Sequence, residues 1–264
     1  MKIFDSQKHL YNYIDRKTKD SLPRSILLLG ESGCGKHSLV TYIGEKFNFP
    51  VVDISDKLGF EFIMSLYEKP EPYLYIIEAS KITIKEQNMI LKFIEEPLKN
   101  SYIIILAENS NQLLLTIYNR CQVLKFNPFS TEELKEFTSD ELILKIAKTP
   151  GQISKLIATN SSELVTFCDK IVNKIGTANL PNVLTIPDKI AFKNEKDKFD
   201  LECFSRTLNY LLVEKIKQMD SDVRYQDMYK LVSEWNVKRK APTIVQNVLL
   251  ENYLVKMHLL MRQQ

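Results

Sequence analysis

Between Ser25 and about Phe126, short and almost continuously apolar runs alternate with stretches whose apolar residues recur at helical spacing. Ser25–Leu29, Val51–Ile54, Tyr73–Ile77, Tyr102–Ala107 and Gln122–Phe126 read as strands, and His37–Lys46 and Ile84–Leu98 read as helices between them. Strands that lack polar alternation must be covered on both faces, so the pattern predicts a parallel sheet flanked by helices. In the later helix Ile84, Gln87, Leu91, Ile94 and Leu98 share one stripe, and Pro97 marks its end.

Past Asn127-Pro128-Phe129 the strand pattern stops. Ser130-Thr131-Glu132-Glu133 supplies an N-cap with acidic residues in the first turn, opening a small helical region that runs to about Thr159. From Ser161 onward the reading is helical apart from a loop at Pro181–Pro187, with long amphipathic segments near Asp197–Met219, Arg224–Val237 and Pro242–Met261. The last carries apolar residues on nearly every face, among them Val245, Val248, Leu249, Leu250, Leu254, Val255, Leu259 and Leu260. Such a helix is buried between neighbours, in its own domain or at a subunit interface. The expected domains are 1–128, 129–160 and 161–264.

A chain of 264 residues has room for about two domains. Its 44% apolar and 26% charged content is that of an ordinary globular protein, and a net charge of +3 does not mark a nucleic-acid binder by charge alone. The longest apolar runs fall short of the roughly 20 residues a membrane span needs. Met1–Asp20 lacks the apolar centre of a signal peptide, so a cytoplasmic protein with no membrane partner is expected. Cys34, Cys121, Cys168 and Cys203 are far apart with no CxxC pair, and read as buried free thiols rather than zinc ligands. His9 and His258 read as isolated residues with no ligand role, and Tyr11, Tyr13, Tyr210 and Trp235 as core aromatics. The run Lys238-Arg239-Lys240 reads as a solvated linker rather than a contact to a phosphate backbone.

Candidate chemistry concentrates after the first strand. Gly30-Glu31-Ser32-Gly33-Cys34-Gly35-Lys36 spells GxxxxGK between a strand and a helix, the setting of a phosphate-binding P-loop. Gly30, Gly33 and Gly35 let backbone amides curl around phosphate oxygens, the following helix aims its positive end at them, and Lys36 adds a charge. The next position, where a Ser or Thr hydroxyl would ligate magnesium, is His37, and a neutral imidazole is a poor ligand for so hard a cation. Ser38 offers a hydroxyl one residue later, roughly 100° away around a helix.

Together with the P-loop, three further stretches resemble the AAA+ subunits of DNA polymerase clamp loaders. Tyr75-Ile76-Ile77-Glu78-Ala79-Ser80-Lys81-Ile82-Thr83 is similar to the Walker B strand, Gln87-Asn88-Met89-Ile90-Leu91-Lys92-Phe93-Ile94-Glu95-Glu96-Pro97 to the QNALLKxLEEP helix, and Leu113–Gln122 to the segment LLxTIxSRCQ. The resemblance implies an α/β P-loop AAA+ domain, a small helical lid carrying Thr149-Pro150-Gly151-Gln152, and an all-α collar through which such subunits form a ring. It implies that the Walker B magnesium aspartate falls on Ile77, and that Glu78 keeps the carboxylate which polarises the attacking water. The sensor 2 arginine becomes Gln152, sensor 1 lies near Glu108 or Asn109, and the zinc-binding cysteine cluster of many relatives is absent. Arg120, preceded by Asn119 in place of the usual Ser, falls on the arginine that reaches the γ phosphate held by a neighbouring subunit.

By this resemblance the chain would be a non-hydrolysing, stator-like subunit. ATP or ADP would be held weakly or not at all through Gly30, Gly33, Gly35, Lys36, His37, Ser38 and Glu78, with neither magnesium nor zinc. Its partners would be gamma/tau-like ATPase subunits, a delta-like clamp-opening subunit, the sliding clamp and primed DNA. Two rival readings stay open: an active ATPase using Lys36 and Glu78, with Ser38 or water completing a metal shell, and an AAA+-derived scaffold for another replication or repair partner.

Overall fold

A computed structural model describes residues 2–66, 73–96, 101–191, 198–218, 224–238 and 246–262. The elements run α1 (Lys8–Asp15), β1 (Ser25–Leu29), α2 (Lys36–Phe47), β2 (Val51–Asp53), α3 (Phe60–Leu66), β3 (Leu74–Glu78), α4 (Ile84–Glu95), β4 (Tyr102–Ala107), α5 (Leu115–Tyr118) and β5 (Gln122–Lys125). They continue with α6 (Thr131–Lys135), α7 (Glu141–Ile146), α8 (Pro150–Ala158), α9 (Ser161–Lys174), α10 (Leu180–Leu184), β6 (Ile190–Ala191), β7 (Phe199–Asp200), α11 (Leu201–Gln218), α12 (Arg224–Lys238) and α13 (Gln246–Arg262). The chain divides into two compact units, Met1–Glu133 and Leu134–Gln264.

In the first unit five parallel strands form a sheet in the order β2-β3-β4-β1-β5. Every residue of β1 and β4 is buried, which is why their sequences show no polar alternation. The two faces nevertheless separate by strand parity. Leu27, Leu29, Tyr75, Ile77, Ile103 and Ile105 pack with Ile90, Phe93 and Ile94 of α4. Ile26, Leu28, Ile76, Ile104 and Leu106 pack with Leu39, Val40 and Ile43 of α2 and with Leu10, Tyr11 and Ile14 of α1.

Thr83 and Glu86 close a capping box that starts α4, with the Glu86 carboxylate accepting from Thr83 N at 2.6 Å. The expected stripe needs correction at this end, because Ile84, first residue of the helix, is 54% exposed. Gln87, Ile90, Phe93 and Ile94 form the buried line instead. Pro97 and Leu98 lie outside the described residues. The helices α1 and α3 were not foreseen from the pattern.

The second unit is mostly helical but not all-α. Ile190 pairs in parallel with Phe199, and Ala191 with Asp200, to form a two-stranded ladder. The expected loop at Pro181–Pro187 holds α10 and leads into a 3-10 turn, with a proline in the first turn of each. Proline is tolerated there, since the first helical N–H groups have no partner to lose. Helices α9 and α11 pack together, as do α12 and α13. Where α11, α12 and α13 meet, Asn209 Nδ2 donates to Asn236 Oδ1 at 2.8 Å and Tyr253 OH donates to Asn209 Oδ1 at 2.9 Å. The Trp235 ring stacks on Tyr253 with centroids 4.7 Å apart.

One side of α13 packs inside this unit through Leu250, Tyr253, Leu254, Met257 and His258, whereas Val248 is 60% and Leu259 52% exposed. His258 has a structural partner, its Nδ1 lying 2.5 Å from the Ile175 carbonyl. Cys34, Cys168 and Cys203 are buried and Cys121 is half-buried. Burial pushes the Cys121 and Cys203 thiols up to about 12, so they stay protonated. Asp197, Met219, Arg239, Lys240 and Pro242 lie outside the described residues. No helix among the described residues is long and apolar enough to cross a membrane.

Candidate nucleotide-binding loop and arginine finger

The P-loop leaves the sheet at the C-terminal end of β1, where Gly30 N still donates to Ala107 O. A Cβ on Gly30 would stand 2.7 Å from Cys34 Sγ and 2.8 Å from Phe126 Cβ, so only glycine fits. Gly33 and Gly35 take left-handed φ of 75° and 101°, which turn the chain into α2. Inside this loop the Lys36 ammonium is already engaged, donating to Gly30 O at 2.5 Å and Glu31 O at 3.0 Å. Ser38 is exposed on α2.

His37 Nε2 lies 3.4 Å from Glu78 Oε1, and Lys81 Nζ lies 3.3 Å from the same oxygen. Lys81 also approaches Asp53 at 3.9 Å and Asp56 at 3.8 Å. Ser55 joins the neighbouring strand ends, accepting from Glu78 N at 2.9 Å and donating to Asp53 Oδ1 at 2.5 Å. The His37 hydrogen bond, helped by Lys81, holds the Glu78 carboxyl below the usual range against the opposing effect of partial burial. For Lys81 partial burial pulls downward, but the Glu78, Asp53 and Asp56 carboxylates outweigh it and raise the ammonium.

The pleat of β3 separates Ile77 from Glu78. Strand parity sends Ile77 into the core on the α4 side, while Glu78 emerges beside the first turn of α2. The position facing His37 therefore carries a carboxylate, and the residue after it is Ala79, fully buried. One carboxylate is present where the resemblance called for two, and it is claimed by an imidazole and an ammonium. Neither donor beside it suits a hard divalent cation, since His37 lacks an oxygen and Lys81 is itself cationic. Among the described residues no group of three or more His, Cys, Asp or Glu is disposed to hold a metal.

The residues near which the resemblance places the two sensors make local hydrogen bonds. Asn109 Oδ1 accepts from Asn111 N at 3.0 Å, and Glu108 N donates to Gln112 Oε1 at 2.7 Å. In the second unit Gln152, 2% exposed, accepts from Lys148 N at 2.8 Å.

Arg120 follows α5, with its N donating to Ile117 O at 3.0 Å. Gln87, 2% exposed, fixes this segment against α4: its Nε2 donates to Gln112 O at 2.9 Å, and its Oε1 accepts from Leu114 N at 2.8 Å. The Arg120 side chain is 42% exposed. Its Nε forms an ion pair with Glu95 Oε1 at 2.6 Å, and its Nη1 donates to Thr116 O at 3.0 Å. On the same short helix Leu115 is 70% exposed. Sequence reasoning singled out Arg120 but not Glu95, Lys81 and Ser55, whose contacts arise only when strand ends and helix ends are brought together.

A glycine-rich loop thus stands at the end of an inner strand in a five-stranded parallel sheet, and a mostly helical unit follows it in the chain. Residues 50–130 match the family described as DNA polymerase III, delta subunit. The DNA polymerase III subunit delta' of Bacillus subtilis (strain 168) is 28% identical over 163 residues, 49% of each chain. The replication factor C small subunit of Methanococcus maripaludis (strain C5) is 24% identical over 206 residues, 70% of this chain and 62% of that one. The chain spans about half the length of the Bacillus subtilis relative. Among solved structures, the Thermotoga maritima RuvB Holliday junction branch migration motor superposes with a TM-score of 0.50 at 15% identity, over 96% of this chain and 87% of that one, a likeness of fold alone. The chain is thus similar, over part of its length, to DNA polymerase III and replication factor C subunits.

Proposed function

We propose that this chain is a non-hydrolysing, stator-like subunit of a sliding-clamp loader, most akin to the delta-prime subunit of DNA polymerase III, and that it supplies Arg120 to an ATP site on a neighbouring subunit. A single observation carries this reading: a half-exposed guanidinium in its family motif coexists with a loop whose facing carboxylate, Glu78, is paired to His37 and Lys81. Phosphoryl transfer depends on charge positioned around the phosphates, with a metal neutralising their oxygens. Here the hydroxyl ligand and one carboxylate are both missing, so intrinsic turnover has no electrostatic support. An arginine lent in trans needs none of this machinery.

In this reading the P-loop holds ATP or ADP weakly or not at all, without magnesium, and the protein works in the cytoplasm. The partners are gamma/tau-like ATPase subunits, a delta-like clamp-opening subunit, the sliding clamp and primed DNA. Leu115, exposed beside Arg120, and Val248 and Leu259 on α13 provide apolar surface suited to subunit contacts. The deciding experiment is clamp- and DNA-stimulated ATP hydrolysis by a ring reconstituted with Arg120→Ala. Hydrolysis at the site that Arg120 serves should fall by about 10³-fold or more. Unchanged hydrolysis would remove the finger role, and ATP turnover by the purified chain alone would restore the active-ATPase rival.

A further inference from the structure

We infer that Glu95 is a positioning residue for Arg120: its carboxylate holds the guanidinium at Nε and so sets the direction in which that group is offered to a neighbour's phosphate. This rests on the finger role proposed above.

Of the three guanidinium nitrogens, Nε is held by Glu95 at 2.6 Å and Nη1 by the Thr116 carbonyl at 3.0 Å. Neither contact uses Nη2. The two anchors come from different elements, the last residue of α4 and the body of α5, and those elements are themselves tied by the buried Gln87 amide. An untethered arginine would sample many rotamers, and the planar fork loses least when its orientation is set beforehand. Glu95 is 46% and Arg120 42% exposed, so the pair lies at the surface, where an ion pair adds little to folding. Its effect is therefore orientation.

The test is a ring carrying Glu95→Ala, Glu95→Gln, Arg120→Ala or the double variant Glu95→Ala/Arg120→Ala, assayed for stimulated ATP hydrolysis. Glu95→Ala should lower kcat by about tenfold to a hundredfold with KM for ATP little changed, since a misplaced group costs rate rather than nucleotide binding. Glu95→Gln, which keeps an acceptor for Nε, should recover most of the loss. The double variant should be no worse than Arg120→Ala, because both substitutions remove one device. On the isolated chain, the Arg120 Nε–H should give a slowly exchanging ¹⁵N resonance that is lost in Glu95→Ala. If Arg120→Ala cripples hydrolysis while Glu95→Ala does not, the positioning role alone is overturned. If neither substitution matters, the finger role falls with it. A rate increase in Glu95→Ala would make the contact a brake and also overturn the inference.

Discussion

Glu78 is the residue on which the reading of the nucleotide loop turns. Its depressed carboxyl pKa gives a signed expectation. The favourable interactions with His37 and Lys81 are present above the ordinary carboxylate value of 4.5 and are lost as pH falls through the lower folded value. Lys81 works in the opposite sense, contributing below 10.5 and losing its contribution as pH rises past its raised folded value. Glu78→Gln should therefore flatten the acid limb of the Tm profile below about pH 4.5 relative to wild type, as measured by circular dichroism. An unchanged acid limb would mean that the ion-pair cluster contributes nothing to stability.

At the level of elements, Gln87 joins α4 to the segment leading into α5. Gln87→Ala would leave the Gln112 carbonyl and the Leu114 amide without this partner in a buried setting, a cost of about 1–3 kcal/mol measurable by urea denaturation. Gly30→Ala should cost a similar amount, about 1–3 kcal/mol, because its methyl overlaps Cys34 and Phe126. The sheet was legible in the sequence because β1, β3 and β4 are buried along almost their whole length and advertise this as unbroken apolar runs. The helix α1 was not, since only Leu10, Tyr11 and Ile14 of its eight residues are buried among charges. The β6 and β7 ladder was missed for another reason: two-residue strands are too short to show any period. The P-loop and Arg120 were legible as motifs, yet the parity of β3 could not be read from spelling. Only the pleat separates Ile77, turned into the core, from Glu78, turned toward His37.

For the molecule as a whole, two units with separate cores divide the expected labour between a loop-bearing sheet and a helical region with spare apolar surface. Val248→Asp at a 60% exposed site should change the stability of the isolated chain by no more than about 0.5 kcal/mol, yet reduce co-elution with clamp-loader ATPase subunits on size exclusion. Retained co-elution would exclude that side of α13 from assembly.

The folded-back Lys36 has a consequence for any visiting triphosphate. Its ammonium already satisfies two main-chain oxygens, so a guest must break those bonds before gaining the charge it seeks. Occupancy then becomes an exchange reaction whose apparent affinity is lowered by the fraction of time the lysine spends at home.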